Sequence, residues 1–129
     1  MGKAQILVVD DEHQIRSALI DFLSKRFDCV FAEAGDGEEA VKFVCENKCD
    51  LILLDIKMPK KSGLAVAKEA KEKNPGIDIL IVSAWDSDDV AEEAIKLGVT
   101  DYLIKPIDLK VLEMKVGGIL KKRGQFNKT

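Results

Sequence analysis

A doubly wound α/β domain, with five parallel strands and five helices on two faces, is the architecture expected of this chain on three grounds. Short apolar runs alternate from end to end with segments of helical periodicity. Glycine, proline and asparagine signals fall between them. The run Leu51-Ile52-Leu53-Leu54 is apolar at every position, as in a parallel strand covered on both sides.

Each element follows from its residues. Ile6-Leu7-Val8-Val9 is the first strand and stops at Asp10-Asp11. Ile15, Leu19, Phe22 and Leu23 then recur at helical spacing, predicting an amphipathic helix from about Glu12 to Lys25. Cys29 to Ala32 is a shorter, mixed strand suited to a sheet edge. Gly35-Asp36-Gly37 turns into a helix carrying Ala40, Val41, Val44 and Cys45. Leu51 to Leu54 is the third strand, ending at Asp55, and Pro59 forbids a helix across that junction. Ser62-Gly63 opens a helix with Leu64, Ala67 and Ala70, which Asn74-Pro75-Gly76 ends. Ile77 to Val82 is the fourth strand and ends at Ser83. Val90, Ala91, Ala94 and Ile95 mark the next helix, with Gly98 as its C-cap. Asp101 to Ile104 is the fifth strand, running into Lys105-Pro106. Asp108 caps a last helix presenting Leu109, Leu112, Val116, Ile119 and Leu120. Within it, Gly117-Gly118 either lets the end fray or serves a close contact.

Composition narrows the function. At 129 residues, 47% hydrophobic and 33% charged, the chain suits a single soluble domain. A net charge of −3 gives no footprint for nucleic acid or a membrane surface. No apolar run reaches spanning length and no secretory leader is recognised. The one basic cluster, Lys121-Lys122-Arg123, reads as a solvated helix end. Cys29, Cys45 and Cys49 are odd in number and lack zinc spacing, so reduced core or near-core residues of a cytoplasmic protein are expected. The division expected is a domain over 1–123 and a polar tail or linker stub over 124–129.

The chemistry lies where strands end. In a parallel sheet Asp10, Asp11, Asp55, Ser83 and Lys105 all fall on one edge, the edge where open α/β sheets bind ligands. Crowded carboxylates repel by about 4 kcal/mol for a pair at 4 Å and an effective dielectric near 20. Lys105 offsets only part of that. A hard divalent ion fits, and few carboxylates with water suit Mg²⁺, or Mn²⁺ in its place. Such an ion usually accompanies a phosphate. Ser83 can donate a hydrogen bond to phosphoryl oxygens and Lys105 supplies charge, so Asp55 can serve as a nucleophile forming an acyl phosphate.

The chain resembles the receiver domain of bacterial two-component response regulators, the CheY-like family, from Gln5 to Lys122. The residues carrying the likeness are Ile6 to Val9 with Asp10-Asp11, Asp55 with Met58-Pro59 and Gly63, Ser83-Ala84, Tyr102, and Lys105-Pro106. The resemblance implies a flavodoxin-like strand order 2-1-3-4-5. It implies phosphoryl transfer from a phosphohistidine of a sensor histidine kinase, or a phosphotransfer protein, to Asp55. It implies Mg²⁺ held by Asp11, Asp55 and the Lys57 carbonyl, with Asp10 helping through water. Ser83 and Tyr102 are then the switch residues. They would alter the surface of the fourth helix, fifth strand and fifth helix toward an effector domain or target protein. The Lys105–Pro106 bond is expected to be cis, as is common in the family. Lys57 and Trp85 flank the site where the family tunes phosphoryl lifetime. A phosphorylation-dependent homodimer through that surface is a further expectation, with Lys96, Asp101 and Lys115 as complementary charges.

Other readings fit less well. The chain is expected to catalyse only its own phosphorylation and dephosphorylation. A haloacid-dehalogenase-type phosphatase needs an Asp-x-Asp nucleophile on the first strand and a cap domain. A flavodoxin needs a phosphate loop of Ser, Thr and Gly after that strand, whereas this one is acidic. A pseudo-receiver would have lost site residues, and the main ones are present. His13 and Lys105 taken singly would be a solvated histidine and a snorkelling lysine.

Overall fold

The computed structural model describes residues 3–58, 61–84 and 88–125. Among these, five strands and five helices alternate. They are β1 (Gln5–Val9), α1 (His13–Ser24), β2 (Val30–Ala34), α2 (Gly37–Glu46), β3 (Leu51–Leu54), α3 (Gly63–Lys73), β4 (Asp78–Ser83), α4 (Asp88–Leu97), β5 (Asp101–Ile104) and α5 (Leu109–Lys122). All strand pairs are parallel and the order is β2-β1-β3-β4-β5, as expected.

Strand alternation sorts the apolar residues into two cores, one on each face of the sheet. Leu7, Val9, Ile52, Leu54, Ile79 and Ile81 face α2, α3 and α4, whose Ala40, Val44, Val66, Ala67, Ala70, Val90 and Ala94 complete that core. Ile6, Val8, Leu51, Leu53, Leu80 and Val82 face α1 and α5, meeting Leu19, Leu23, Leu112, Val116, Ile119 and Leu120. β3 contributes to both cores and is buried at every position.

Side chains start the helices where the sequence says they should. Asp36 accepts from the Glu39 N–H (2.9 Å), Ser62 from Ala65 (3.3 Å), and Asp108 from Lys110 and Val111 (2.9 and 3.3 Å). Gly98 closes α4 with φ +82°, and Asn74 ends α3. α5 runs through Gly117-Gly118 without a break.

Several expectations need correction. β2 spans Val30 to Ala34 rather than Cys29 to Ala32, because pairing with Gln5 to Val9 sets its register and its own polarity does not. β4 starts at Asp78 and includes Ser83. Cys45 is exposed on α2, one step off the Ala40–Val44 stripe, although Cys49 is buried and Cys29 half-buried. Ile95 and Leu109 are 74% and 45% exposed. Arg123 is no solvated helix end. It donates to Asp50 Oδ1 (2.9 Å), Asp78 Oδ2 (2.8 Å) and the Gly76 carbonyl (3.0 Å), tying the end of α5 to the starts of β3 and β4. Asp101 and Lys115 pair with each other inside the chain at 2.8 Å.

Candidate functional site

The site stands on the carboxyl ends of β1, β3, β4 and β5. β1 delivers Asp10 and Asp11, and the Asp10 N–H continues the ladder to Ala34 (3.2 Å). β3 delivers Asp55, whose N–H bonds the Val9 carbonyl (3.0 Å). Asp10 and Asp55 are therefore fixed by the sheet itself. Both are buried, at 3% and 7% exposure, while Asp11 faces solvent.

One oxygen from each of Asp10, Asp11 and Asp55 lies within 4.8 Å of the others. The separations decide whether the acids form one site, and here they do. Lys105, from the end of β5, donates to Asp10 Oδ2 (3.1 Å) and reaches Asp55 Oδ2 (3.5 Å). Its peptide bond to Pro106 is cis, as the resemblance implied. The Lys57 N–H turns back onto Asp55 Oδ1 (3.2 Å), and the Lys57 side chain points to solvent. Trp85 lies outside the described residues.

Ser83 ends β4 with no exposed surface, and its Oγ has no hydrogen-bond partner among the described residues. A buried hydroxyl without a partner costs roughly 1 to 3 kcal/mol. Tyr102 is half-buried on β5, opposite Ile81 in register, and packs against the α2–α4 core. His13 is exposed in the first turn of α1, as expected.

Electrostatics follow from the crowding. Burial raises the Asp55 carboxyl above its ordinary range. Lys105 opposes that and the nearby Asp10 charge adds to it. Burial alone would lower the Lys105 ammonium, but its bond to Asp10 and the charges of Asp55 and Asp10 outweigh it and hold it above its usual value. Three carboxylates beside one ammonium leave a negative excess. The hard oxygen donors of Asp10, Asp11 and Asp55 fit a small divalent cation with remaining water ligands.

Two supporting features escaped the sequence reading. Gly63 packs so closely that a Cβ there would lie 2.4 Å from the Asp55 carbonyl oxygen and 2.6 Å from Ile56 Cα. Its N–H closes the loop onto the Ile56 carbonyl (2.9 Å). The sequence marked this glycine as a helix opening with Ser62 and through the family likeness, but not this close packing. Arg16, one turn into α1, donates to the Asp10 carbonyl (2.7 Å) and to Glu33 on β2 (3.0 Å). Its spacing from Asp10 carries no motif, so nothing in the sequence singled it out.

Residues 6–117 match the model of the response regulator receiver domain. The chain belongs to the response regulator receiver family. It is 37% identical to the transcriptional regulatory protein CiaR of Streptococcus pneumoniae over 123 residues, covering 95% of this chain and 54% of that protein. It is 41% identical to the transcriptional regulatory protein ZraR of Salmonella typhimurium over 112 residues, covering 87% of this chain and 25% of that protein. The receiver thus spans about half or a quarter of these relatives. A CheY-like receiver domain from Methanospirillum hungatei shares the fold with a TM-score of 0.90 at 22% identity, covering 95% of this chain and 98% of that one. Membership places the chain in two-component phosphorelay signalling. Among the described residues no helix is long and apolar enough to cross a membrane.

Proposed function

We propose that this receiver accepts a phosphoryl group on Asp55 from a phosphohistidine of a sensor histidine kinase or phosphotransfer protein. The observation that carries the reading is the convergence of Asp10, Asp11 and Asp55 with Lys105, near a buried Ser83 hydroxyl that has no hydrogen-bond partner among the described residues. Asp11, Asp55 and the Lys57 carbonyl would hold Mg²⁺, with Asp10 assisting. When bound, the ion neutralises carboxylate and phosphoryl charge.

An Asp55 carboxylate oxygen attacks phosphorus as the bond to the donor imidazole nitrogen breaks, so the phosphoryl group passes from nitrogen to oxygen. The Lys57 N–H on Oδ1 orients the carboxylate. Lys105 stabilises the charge on the transferring oxygens, and the Ser83 hydroxyl gains an acceptor when one of them arrives. Ser83 moving inward would let Tyr102 follow. Four large apolar side chains then stand on the surface to be switched: Ile95 on α4, Ile104 on β5, and Leu109 and Met114 on α5, each 45 to 74% exposed. Such a patch suits an effector domain, a target protein or a second phosphorylated copy. We assign this role to residues 1–123 acting in the cytoplasm, with no direct contact to nucleic acid or membrane, and read 124–129 as tail or linker. Lys57 and Trp85 tune how long the phosphoryl group persists.

The test is incubation with acetyl phosphate and Mg²⁺, followed by intact mass. One added phosphoryl group in the wild type and none in Asp55→Asn is expected. Uptake by Asp55→Asn, or none by the wild type, refutes the assignment.

A further inference from the structure

The acidic loop after β1 must hold Asp11 toward the other carboxylates although its side chain is exposed and α1 begins with no side-chain cap. Asp10 is fastened at every polar atom. Its N–H goes to Ala34, its Oδ1 accepts from the Glu12 N–H (2.9 Å), its Oδ2 from Lys105, and its carbonyl from Arg16 Nη1. That last bond fixes the plane of the peptide joining Asp10 to Asp11, and so the direction in which Asp11 leaves the chain. Arg16 is itself pinned. Its Nε donates to Glu33 on β2, its Nη2 lies 3.4 Å from His13 Nδ1, and its side chain is 14% exposed.

We propose that Arg16 is a positioning residue for the divalent cation: by clamping the Asp10 carbonyl against β2 it aims Asp11 into the site. The assignment rests on the phosphoacceptor reading above. Arg16 touches neither the phosphoryl group nor the cation and acts through one peptide plane. A planar guanidinium suits the task because it offers several donors in a fixed fork, one to the carbonyl and one to Glu33.

The test counts free Mn²⁺ by electron paramagnetic resonance while the full chain is titrated, a readout independent of phosphorylation. Arg16→Ala is expected to weaken Mn²⁺ binding about tenfold or more, the range for outer groups that orient metal ligands. At saturating Mn²⁺ its phosphorylation by acetyl phosphate should return to within a few-fold of wild type, because Asp55, Ser83 and Lys105 are untouched. Arg26→Ala is the control for mere destabilisation. Arg26 stacks on Phe22 and pairs with Glu113, just beyond the far end of α1, and its loss should leave Mn²⁺ affinity unchanged. If Arg16→Ala does not fold by circular dichroism, Arg16→Lys carries the test, since a lysine keeps the charge but not the fork. In either variant a loss beyond about twofold supports the clamp and affinity within about twofold of wild type overturns it, outer-group effects being larger than that. Failure of the wild type to bind Mn²⁺ overturns the site reading itself, and the clamp with it.

Discussion

Gly63→Ala probes how tightly the backbone is packed beneath Asp55. The added Cβ would sit 2.4 Å from the Asp55 carbonyl oxygen and 2.6 Å from Ile56 Cα, where an ordinary contact needs at least 3.4 Å. Both neighbours are backbone, so no rotamer change can relieve the clash, and one side must move by about 1 Å. Overpacking of this kind costs about 1 to 3 kcal/mol. Gly63 is the first residue of α3, so alanine recovers up to about 1 kcal/mol of helix propensity. The net expectation is a loss of about 1 to 2 kcal/mol in urea unfolding followed by circular dichroism. Function should suffer more than stability. A displacement of about 1 Å at a reacting group can cost on the order of a hundredfold in rate. The phosphorylation rate with acetyl phosphate should fall accordingly, measured by intact mass at saturating Mg²⁺. A variant that keeps the wild-type rate and an equal or higher urea midpoint would refute the reasoning.

Among the described residues, Arg123→Ala leaves the buried Asp50 carboxylate with one bond, from the Gln5 N–H (2.8 Å). It should destabilise by on the order of 2 to 3 kcal/mol, below the full buried-pair figure because a quarter of the Arg123 side chain remains in solvent; an unchanged urea midpoint rejects the clasp. Burial and the Asp28 and Asp50 charges push the Cys29 thiol up to about 11, and burial with Asp50 pushes Cys49 up to about 12. Near neutral pH a maleimide should therefore label exposed Cys45 first, and mass mapping that finds Cys49 labelled first contradicts this. Because burial raises the Asp55 carboxyl, its ionised form opposes folding above its unfolded value and the penalty vanishes below that value. In EDTA, Asp55→Asn should thus be more stable than wild type at neutral pH, with the gain shrinking as pH falls through the raised folded-state value and gone below the ordinary carboxylate range; a gain that persists or grows in acid defeats the argument. Finally, Lys57→Ala should speed loss of the phosphoryl group if the lysine obstructs attacking water, and an unchanged half-life by intact mass removes that role.

The strand ends made the site legible. Leu51 to Leu54 and Ile6 to Val9 are runs so apolar that their ends are sharp, and a parallel sheet brings such ends to one rim. The weaker signals failed for local reasons. β2 is an edge strand in which only Ala34 is fully buried, so its composition could not fix its limits. Ile95 and Leu109 continue a helical apolar pattern, and periodicity cannot tell a core face from an exposed apolar face kept for a partner. Arg123 meets Asp50 across 73 positions of sequence, and Arg16 meets Glu33 across 17. Those pairings belong to the tertiary arrangement. A lysine or arginine in a helix looks the same in sequence whether it is solvated or clasped.

The polar staple at the amino end of β3 has a consequence for alignment. In most sheets one wet face and one dry face resist sliding, since a one-residue slip would turn the dry set outward. β3 is apolar on both sides, so a slip would still bury four aliphatic side chains. Asp50 resists it: held by the Gln5 N–H and by Arg123, it indexes the strand as a detent indexes a sliding rod. The five-residue step from Asp50 to Asp55 then carries that index across the molecule. A fastening on the rim at the amino ends of the strands thus bears on how far the Asp55 carboxylate protrudes from the other.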